Sequence, residues 1–514
     1  MTDRDEASRY YNIAEALLMP HLPGRANKIV YKDDDGACSY AELADKANRI
    51  ANLLVALGVR REERVLLCLH DSIEWSATFL GAVKAGIIPV ATNTMLTPAD
   101  YDYLLRDSRA AALIVAADVL PQFEPVLEGQ RHLRNVVTLG AAAGRPELRA
   151  LMAAASPQFE TVDTFRDEPA FWQYSSGTTG RPKGVVHLHG GLIKCAELYA
   201  RDILGIREDD LIFSAARMFF GYGMGNSLAF PLAAGASAIL FGGRPTPEAV
   251  GALLLRHQPT IFFGVPTLYA SLLASDALPP ADQLSLRLCV SAGEALPISV
   301  ARRWQERTGV EIVEGLGSTE MLHMFISGRP GDVREGCAGK PVPGYEVRLV
   351  GEDGQPVAPG ELGELQVSGP TSASGYWAQR EKSQDTFVGR WTRSADKCVE
   401  NEDGTITVTG RSDDMLKVGG IYVSPLEVEA AVVEHPSVAE AAVVGYTDAD
   451  GLVKPRAFVV LHDGHDASPE AELAIKQHVK ALLAPYKYPR SIRFVPALPK
   501  TSTGKIQRFK LRDQ

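Results

Sequence analysis

The sequence predicts an α/β protein with two domains, a large N-terminal one (1–411) and a small α+β one (412–514). Three observations lead there. Short apolar runs alternate with amphipathic stretches through the first three hundred or so residues. The texture turns to glycine, proline and charge after Pro341. At 514 residues the chain exceeds what one core serves.

The elements follow in order. RVLLCLH (64–70), AALIVA (111–116), NVVTLG (135–140), LIFSAA (211–216), ASAILF (236–241), TIFFGV (260–265) and LRLCVSAG (286–293) are continuous apolar runs. That is the pattern of strands covered on both faces. YAELADKANRIANLLVALG and SIEWSATFLGAVKAG lie between them and read as helices. The alternation argues for largely parallel sheets, so the large domain should hold several α/β subdomains. GEDGQPVAPGELGELQVSG suits tight turns in a small β subdomain. GRSDDMLKVGG (410–420), polar and glycine-bearing, has the character of a hinge. Ser424-Pro425-Leu426-Glu427 has the form of a capping box with proline at the first helical position. It starts a helix, LEVEAAVVEH, followed by the strand-like AEAAVVG and RAFVVL.

Composition is ordinary for a globular chain, with 46% hydrophobic and 23% charged residues. A net charge of −10 argues against broad nucleic-acid binding, which needs a basic footprint. The charged start, MTDRDEASRYYNIAEALL, lacks the apolar run of a signal peptide, and no stretch approaches the ~20 apolar residues of a membrane span. Six cysteines (Cys38, Cys68, Cys195, Cys289, Cys337, Cys398) are scattered without a Cys-x-x-Cys pair. This speaks against a disulfide framework or zinc site and for a reducing cytoplasm. The expectation is a cytosolic enzyme with neither nucleic-acid nor membrane partners, a monomer or homodimer.

The densest chemical signal is SSGTTGRPKG, from Ser175 to Gly184. Ser175, Ser176, Gly177, Thr178, Thr179 and Gly180 offer backbone N–H groups and hydroxyls to phosphate oxygens, and Lys183 adds charge. It is not a Walker A loop, because G-x-x-x-x-G-K-[ST] has no match. The order of residues resembles the phosphate loop of the adenylate-forming superfamily: acyl-CoA synthetases, adenylation domains of peptide synthetases and firefly luciferases.

The remaining motifs occur in that family's order. GLGSTEM (315–321) resembles its second nucleotide motif, which implies that Thr319 touches phosphate and Glu320 holds Mg²⁺. SAGEAL (291–296) resembles the adenine-pocket segment, placing Ala292, Gly293 and Glu294 at the nucleotide. By the same resemblance Asp396 holds the ribose hydroxyls and Arg411 lies near ribose and phosphate. Lys505 in PKTSTGKIQR would be the adenylation lysine, and Asp413 the hinge of a mobile C-terminal domain. Lys417, Val418, Gly419 and Gly420 would come near the pantetheine path. ATP, Mg²⁺ and coenzyme A are the cofactors implied.

The acid should sit against SAARMFFGYGMGNSLAFPL (214–232). No carboxylate there pairs an α-ammonium, and the chain ends at Gln514 with no carrier domain, so an amino-acid substrate is disfavoured. The glycines 221, 223 and 225 lack the strand–helix context of a dinucleotide fingerprint. RMFFGYGMGNSLAFPL, GSTEMLHMF, GRSDDMLKVGGIYVSP and LAPYKYPR closely resemble the benzoate–CoA ligase branch. That resemblance implies that Phe220 and Tyr222 flank an aryl ring, that Gly221, Gly223 and Gly317 line its slot, and that His323 approaches from the other side. Plain core packing is the lesser alternative for Phe219 and Phe220 alike. Gly221 stands where such ligases tend to carry alanine, so the expectation is extra room for a ring substituent, with 2-aminobenzoate leading and hydroxybenzoate possible. An aryl-AMP ligase loading a separate carrier protein is the alternative. A non-catalytic nucleotide sensor is disfavoured because Lys505 and Glu320 are both present. His187 and His189 read as structural histidines rather than a metal pair.

Overall fold

Each apolar run singled out above becomes a parallel strand. The computed structural model describes residues 10–175, 181–411, 414–418, 421–448, 453–483, 487–500 and 506–512. One sheet has nine strands, in the order Lys340–Pro341, Met324–Ser327, Ile312–Gly317, Leu288–Ala292, Ile261–Gly264, Leu211–Ser214, Ser237–Ile239, Ile29–Asp33, Gly36–Ser39. Its central strands are covered on both faces, which is why they are apolar without alternation. Ile261 and Phe263 face one core, and Phe262 between them faces another with Phe213, Cys289 and Trp304.

A second sheet has seven strands: Gly375–Tyr376, Lys183–Leu188, Pro169–Ser175, Ile88–Ala91, Arg64–Cys68, Ala112–Ala116 and Asn135–Leu139. Helices Tyr40–Ala56 and Ile73–Lys84 join its core. The first begins with a complete capping box between Ser39 and Glu42; in the second Ser72 caps the N–H of Trp75. A Cβ added at Gly81 would lie 2.5 Å from the Ala47 carbonyl and 2.7 Å from Ile50 Cβ, so a bare glycine lets the helices touch.

After Pro341 comes the small β subdomain, an antiparallel sheet built on Glu346–Val350, Leu362–Ser368, Trp391–Glu400 and Ile406–Arg411. Arg411 ends its last strand, and Leu416 is already in a separate apolar core with Val423, Val428 and Val459. That core packs helices Pro425–Val433 and Pro469–Leu482 against the sheet Val438–Thr447, Val453–Leu461, Ser491–Phe494. The capping box expected at 424–427 closes by half. Ser424 Oγ accepts from Glu427 N at 3.2 Å, but the Glu427 carboxylate turns to Lys487 Nζ at 2.5 and 2.7 Å. All six cysteines are free and buried, and among the described residues no helix is long and apolar enough to cross a membrane.

Gly81→Ala should overpack the contact between those two helices. A loss of about 1–3 kcal/mol is expected, seen as a lowered midpoint in thermal melting with no change in metal or ligand requirement; an unchanged midpoint would show that the helices separate freely.

Candidate active site

The SAGEAL and GSTEM motifs begin at the C-terminal ends of neighbouring parallel strands, where open α/β sheets bind ligands. Ala292 ends one strand and Gly317 its neighbour, and the exposed Gly293 follows with φ of +94°. The phosphate-loop sequence joins two antiparallel strands, Pro169–Ser175 and Lys183–Leu188, instead of leading from strand to helix as in a Walker loop. Ser175 and Lys183 are paired partners at its mouth. Ser176, Gly177, Thr178, Thr179 and Gly180 lie outside the described residues.

Lys183 Nζ donates to the Tyr376 hydroxyl at 3.1 Å and lies 4.2 Å from the centre of its ring. The Tyr376 hydroxyl donates to Glu320 Oε1 at 2.8 Å, and Ser175 Oγ reaches the same oxygen at 3.4 Å. Burial, then the Glu320 charge, pushes the Tyr376 phenol well above its ordinary value, so it stays a donor at neutral pH. The loop exit is held from outside: Tyr103 donates to the Pro182 carbonyl at 2.8 Å, and Tyr174 to Asp107 at 2.7 Å. Glu320 Oε2 makes no hydrogen bond to a described residue, and among those residues no cluster of three histidine, cysteine or acidic groups exists. A single carboxylate oxygen fits Mg²⁺, which brings most of its ligands as water and polyphosphate.

The GSTEM loop is fixed from the β subdomain. Ala373 N donates to the Glu320 carbonyl at 2.8 Å, Thr371 Oγ1 to the Met321 carbonyl at 2.8 Å, and Leu322 N to the Thr319 carbonyl at 3.1 Å. Leu322 has φ of +71°, a strained conformation for a branched residue held in place by these contacts. His187 stacks on Phe171 at 4.9 Å and hydrogen-bonds to the Thr319 backbone, while His189 Nδ1 accepts from Ile13 N at 3.2 Å. Both are structural, and burial holds them down at about 3 and about 4.

On the acid side, Phe220 and Tyr222 are half-buried and Phe219 is packed away. Tyr222 is anchored through its hydroxyl to the Gly264 and Val290 carbonyls at 3.2 and 3.1 Å. His323 is a buried prop of Tyr222 instead of an exposed wall. Only 3% exposed, it sits among Tyr199, Tyr222 and Phe230, with Nε2 facing Asn226 Oδ1 at 3.2 Å and the Tyr222 carbonyl at 3.3 Å. Burial pushes its pKa down to about 3, so it is neutral, with its proton assigned to Nε2 by two acceptors.

Gly221 does not open the expected room. A Cβ there would lie 2.1 Å from the Leu322 carbonyl oxygen and 3.4 Å from Gln173 Oε1, so protein already fills that direction. Gly223 meets the Arg217 carbonyl at 2.1 Å, Gly225 the His323 ring at 2.3 Å and Gly317 the His323 carbonyl at 2.4 Å in the same way. Gly221 and Gly225 seat the 317–323 loop on the aromatic segment, while Gly223 closes that segment on itself and Gly317 closes the loop on itself. The missing methyl at Gly221 therefore gives no reason to place a 2-amino group beside the ring.

Asp396 and Arg411, the residues expected at the ribose, are strand partners, with Arg411 Nη1 3.3 Å from Asp396 Oδ1; Ala395 beside them has φ of +60°. Lys505, Asp413, Gly419 and Gly420 lie outside the described residues, as does the side chain of Lys417, whose backbone is in strand Leu416–Val418. Glu294 is on the expected loop, and its Oε1 accepts from Ile506 N at 3.2 Å.

Three contributors escaped sequence reading. Tyr376 sits in the unremarkable stretch SGYWAQ. Asp71, just past a predicted strand, accepts from Met218 N at 3.1 and 3.3 Å and so fixes the aromatic segment; burial raises it to about 6. Glu314 accepts from Leu296 N at 3.0 Å, holding the SAGEAL loop, and burial pushes it up to about 8. A carboxylate inside a strand pattern was the available signal for Glu314.

Two sheets meeting at a phosphate hairpin, an acidic loop and an aromatic slot define an adenylate-forming enzyme. Residues 21–377 match the family model described as AMP-binding enzyme, and 427–505 the AMP-binding enzyme C-terminal domain. The chain belongs to this family, in its benzoate–CoA ligase branch. A benzoate–CoA ligase of Thauera aromatica is 56% identical over 505 residues, covering 98% of this chain and 96% of that protein. A benzoate CoA ligase from Burkholderia xenovorans LB400 superposes with TM-score 0.93 at 48% identity, covering 98% of this chain and all of that one (100%). An anthranilate CoA ligase, AuaEII, in complex with anthranoyl-AMP, superposes with TM-score 0.95 at 43% identity, covering 100% and 98% of the two chains.

Tyr376→Phe deletes the bridge between Lys183 and Glu320. A hydrogen bond to a charged group is worth about 1.5–3 kcal/mol, so acyl-adenylate formation should fall roughly ten- to hundred-fold with little change in KM for the acid; an unaffected rate removes Tyr376 from the site. For Glu314 the proton is held up to about 8 in the folded chain and released near 4.5 when unfolded. Its contribution to stability is therefore full below pH 4.5 and lost as pH rises through about 8. Glu314→Gln keeps an acceptor and does not titrate, so its melting-point advantage over the parent should grow from pH 5 to pH 8. A pH-independent difference would refute the shift.

Proposed function

We propose that the protein is an ATP-dependent aryl-CoA ligase. It joins benzoate to AMP with loss of pyrophosphate, then transfers the benzoyl group to the CoA thiol with release of AMP. The observation that carries this reading is the single loop 317–323. It bears Glu320 on the polyphosphate side and, three residues on, His323 behind the half-buried Tyr222 on the acid side. One loop thus holds the carboxyl of a flat acid next to the α-phosphate, and orienting two reactants in this way supplies much of the rate.

In the first step the carboxylate oxygen attacks the α-phosphorus and pyrophosphate leaves. Mg²⁺ bound with ATP would neutralise charge on the polyphosphate, with Glu320 as its protein ligand. Lys183 and the phosphate-loop hydroxyls hold the phosphates, Thr319 meets phosphate, and Asp396 with Arg411 holds the ribose. Lys505 bridges the carboxylate and phosphate oxygens as charge develops. Phe220 and Tyr222 give the ring two flat walls, which favour an aryl group over a long alkyl chain. In the second step the C-terminal domain turns about Asp413, bringing Lys417, Gly419 and Gly420 to the pantetheine path. The thiolate then attacks the acyl carbonyl and AMP leaves.

Benzoate is the assigned acid; 2-aminobenzoate and hydroxybenzoates are the substituted acids to test beside it. Purified protein would be incubated with ATP, Mg²⁺, CoA and a pooled panel of these acids, cinnamates and short fatty acids, with thioesters read by mass spectrometry. Benzoyl-CoA should dominate and vanish in Lys505→Ala. A thioester of a fatty acid in its place would overturn the slot assignment. Aryl-AMP with no thioester would move the acceptor from CoA to a carrier protein.

A further inference from the structure

Glu294 does something its motif does not explain. Its carboxylate reaches away from the strand end to the backbone N–H of Ile506, 212 residues later in the chain. Ile506 directly follows Lys505 in the sequence. Among the described residues it is the hydrogen bond that ties the end of this segment to the nucleotide side of the large sheet.

The chain on either side of 501–505 is firmly set within the C-terminal unit. Lys500 and Ile506 pair as an antiparallel bridge, and Gln507 N donates to the Pro499 carbonyl at 2.8 Å. Lys500 Nζ meets the Glu440 carboxylate at 2.7 and 2.8 Å. Arg508 grips Glu429 with two parallel bonds of 3.0 and 2.7 Å, and the buried Glu429 also accepts from Val443 N at 2.7 Å. Lys500 and Arg508, on either side of Lys505, are therefore paired struts, not a solvated tail. A segment so braced moves with its whole domain. The contact at Ile506 then acts with the bond from the Ser424 hydroxyl to the Thr409 carbonyl to set where the domain stands.

We propose that Glu294 is a positioning residue, a catch that holds the C-terminal domain in the adenylate-forming orientation by accepting the Ile506 N–H. The proposal rests on the role given to Lys505 above. The donor is backbone, so position 294 needs only an acceptor. A charge-assisted bond of this kind changes the closed population by roughly ten- to hundred-fold, and it is weak enough to release once per turnover for thioester formation.

The test uses the full-length protein with Glu294→Ala and Glu294→Gln. Adenylation is followed in a single turnover with benzoate and ATP, and thioester formation from chemically prepared benzoyl-AMP and CoA. In Glu294→Ala the adenylation rate should fall about ten-fold or more relative to the thioester rate, with ATP affinity by calorimetry kept within about two-fold; Glu294→Gln should regain most of the ratio. In a Lys505→Ala background the alanine change should add no further loss. Parallel loss of ATP affinity and both half-reactions, or full additivity with Lys505→Ala, would make Glu294 a nucleotide ligand and overturn the proposal. Hydrogen exchange of the peptide containing Ile506, with ATP bound, reads the catch without turnover. Faster exchange in Glu294→Ala but not Glu294→Gln supports it, and equal exchange in all three overturns it. If the parent forms no benzoyl-AMP, the acid assignment fails while this exchange experiment still decides the role of Glu294.

Discussion

The Tyr376 hydroxyl is the point on which the site depends. It accepts from Lys183 and donates to Glu320, linking three stretches of chain that are remote in sequence. Lys183 and Tyr376 belong to the seven-stranded sheet and Glu320 follows a strand of the nine-stranded one. One neutral phenol therefore ties the two sheets together beside the phosphate-loop sequence. A cation and a carboxylate brought together directly would neutralise each other. With the phenol between them, the ammonium and the carboxylate share one hydroxyl instead of forming a direct ion pair.

The loop that carries Glu320 is held in a conformation its sequence does not favour. Leu322 has φ of +71°, a region that costs a branched side chain on the order of 1 kcal/mol or more. Close packing against Gly221 and Gly225, the tight fold of the loop at Gly317 and bonds from Thr371 and Ala373 over-determine the turn. The aromatic slot is set from the opposite side by Asp71 and by the Tyr222 hydroxyl. The GSTEM loop and the aromatic segment are thus two faces of one packed unit.

Much of this was legible in the sequence, and the reasons differ by element. Strands such as AALIVA and LRLCVSAG were clear because parallel strands buried on both faces leave continuous apolar runs. FWQYS and KGVVHL, the two strands around the phosphate loop, mix polar with apolar residues and gave no such signal. The motif residues Glu320, Asp396 and Arg411 were found by their order, and the last two are brought together as partners. Tyr376 and Asp71 were missed because their roles depend on contacts between distant segments. Gly221 was misjudged because a missing methyl has a direction, which only the backbone fixes; here it points at the Leu322 carbonyl. Glu427 had the right spacing for a capping box, but Lys487, sixty residues on, takes its carboxylate.

An enzyme of this kind activates the acid on AMP before any thiol is needed. Benzoate-dependent exchange of labelled pyrophosphate into ATP, measured with Mg²⁺ and without CoA, tests it most directly. Exchange should require benzoate and Mg²⁺ and proceed with no thiol present. Exchange that appears only when CoA is added, or that runs as fast with octanoate as with benzoate, would contradict it.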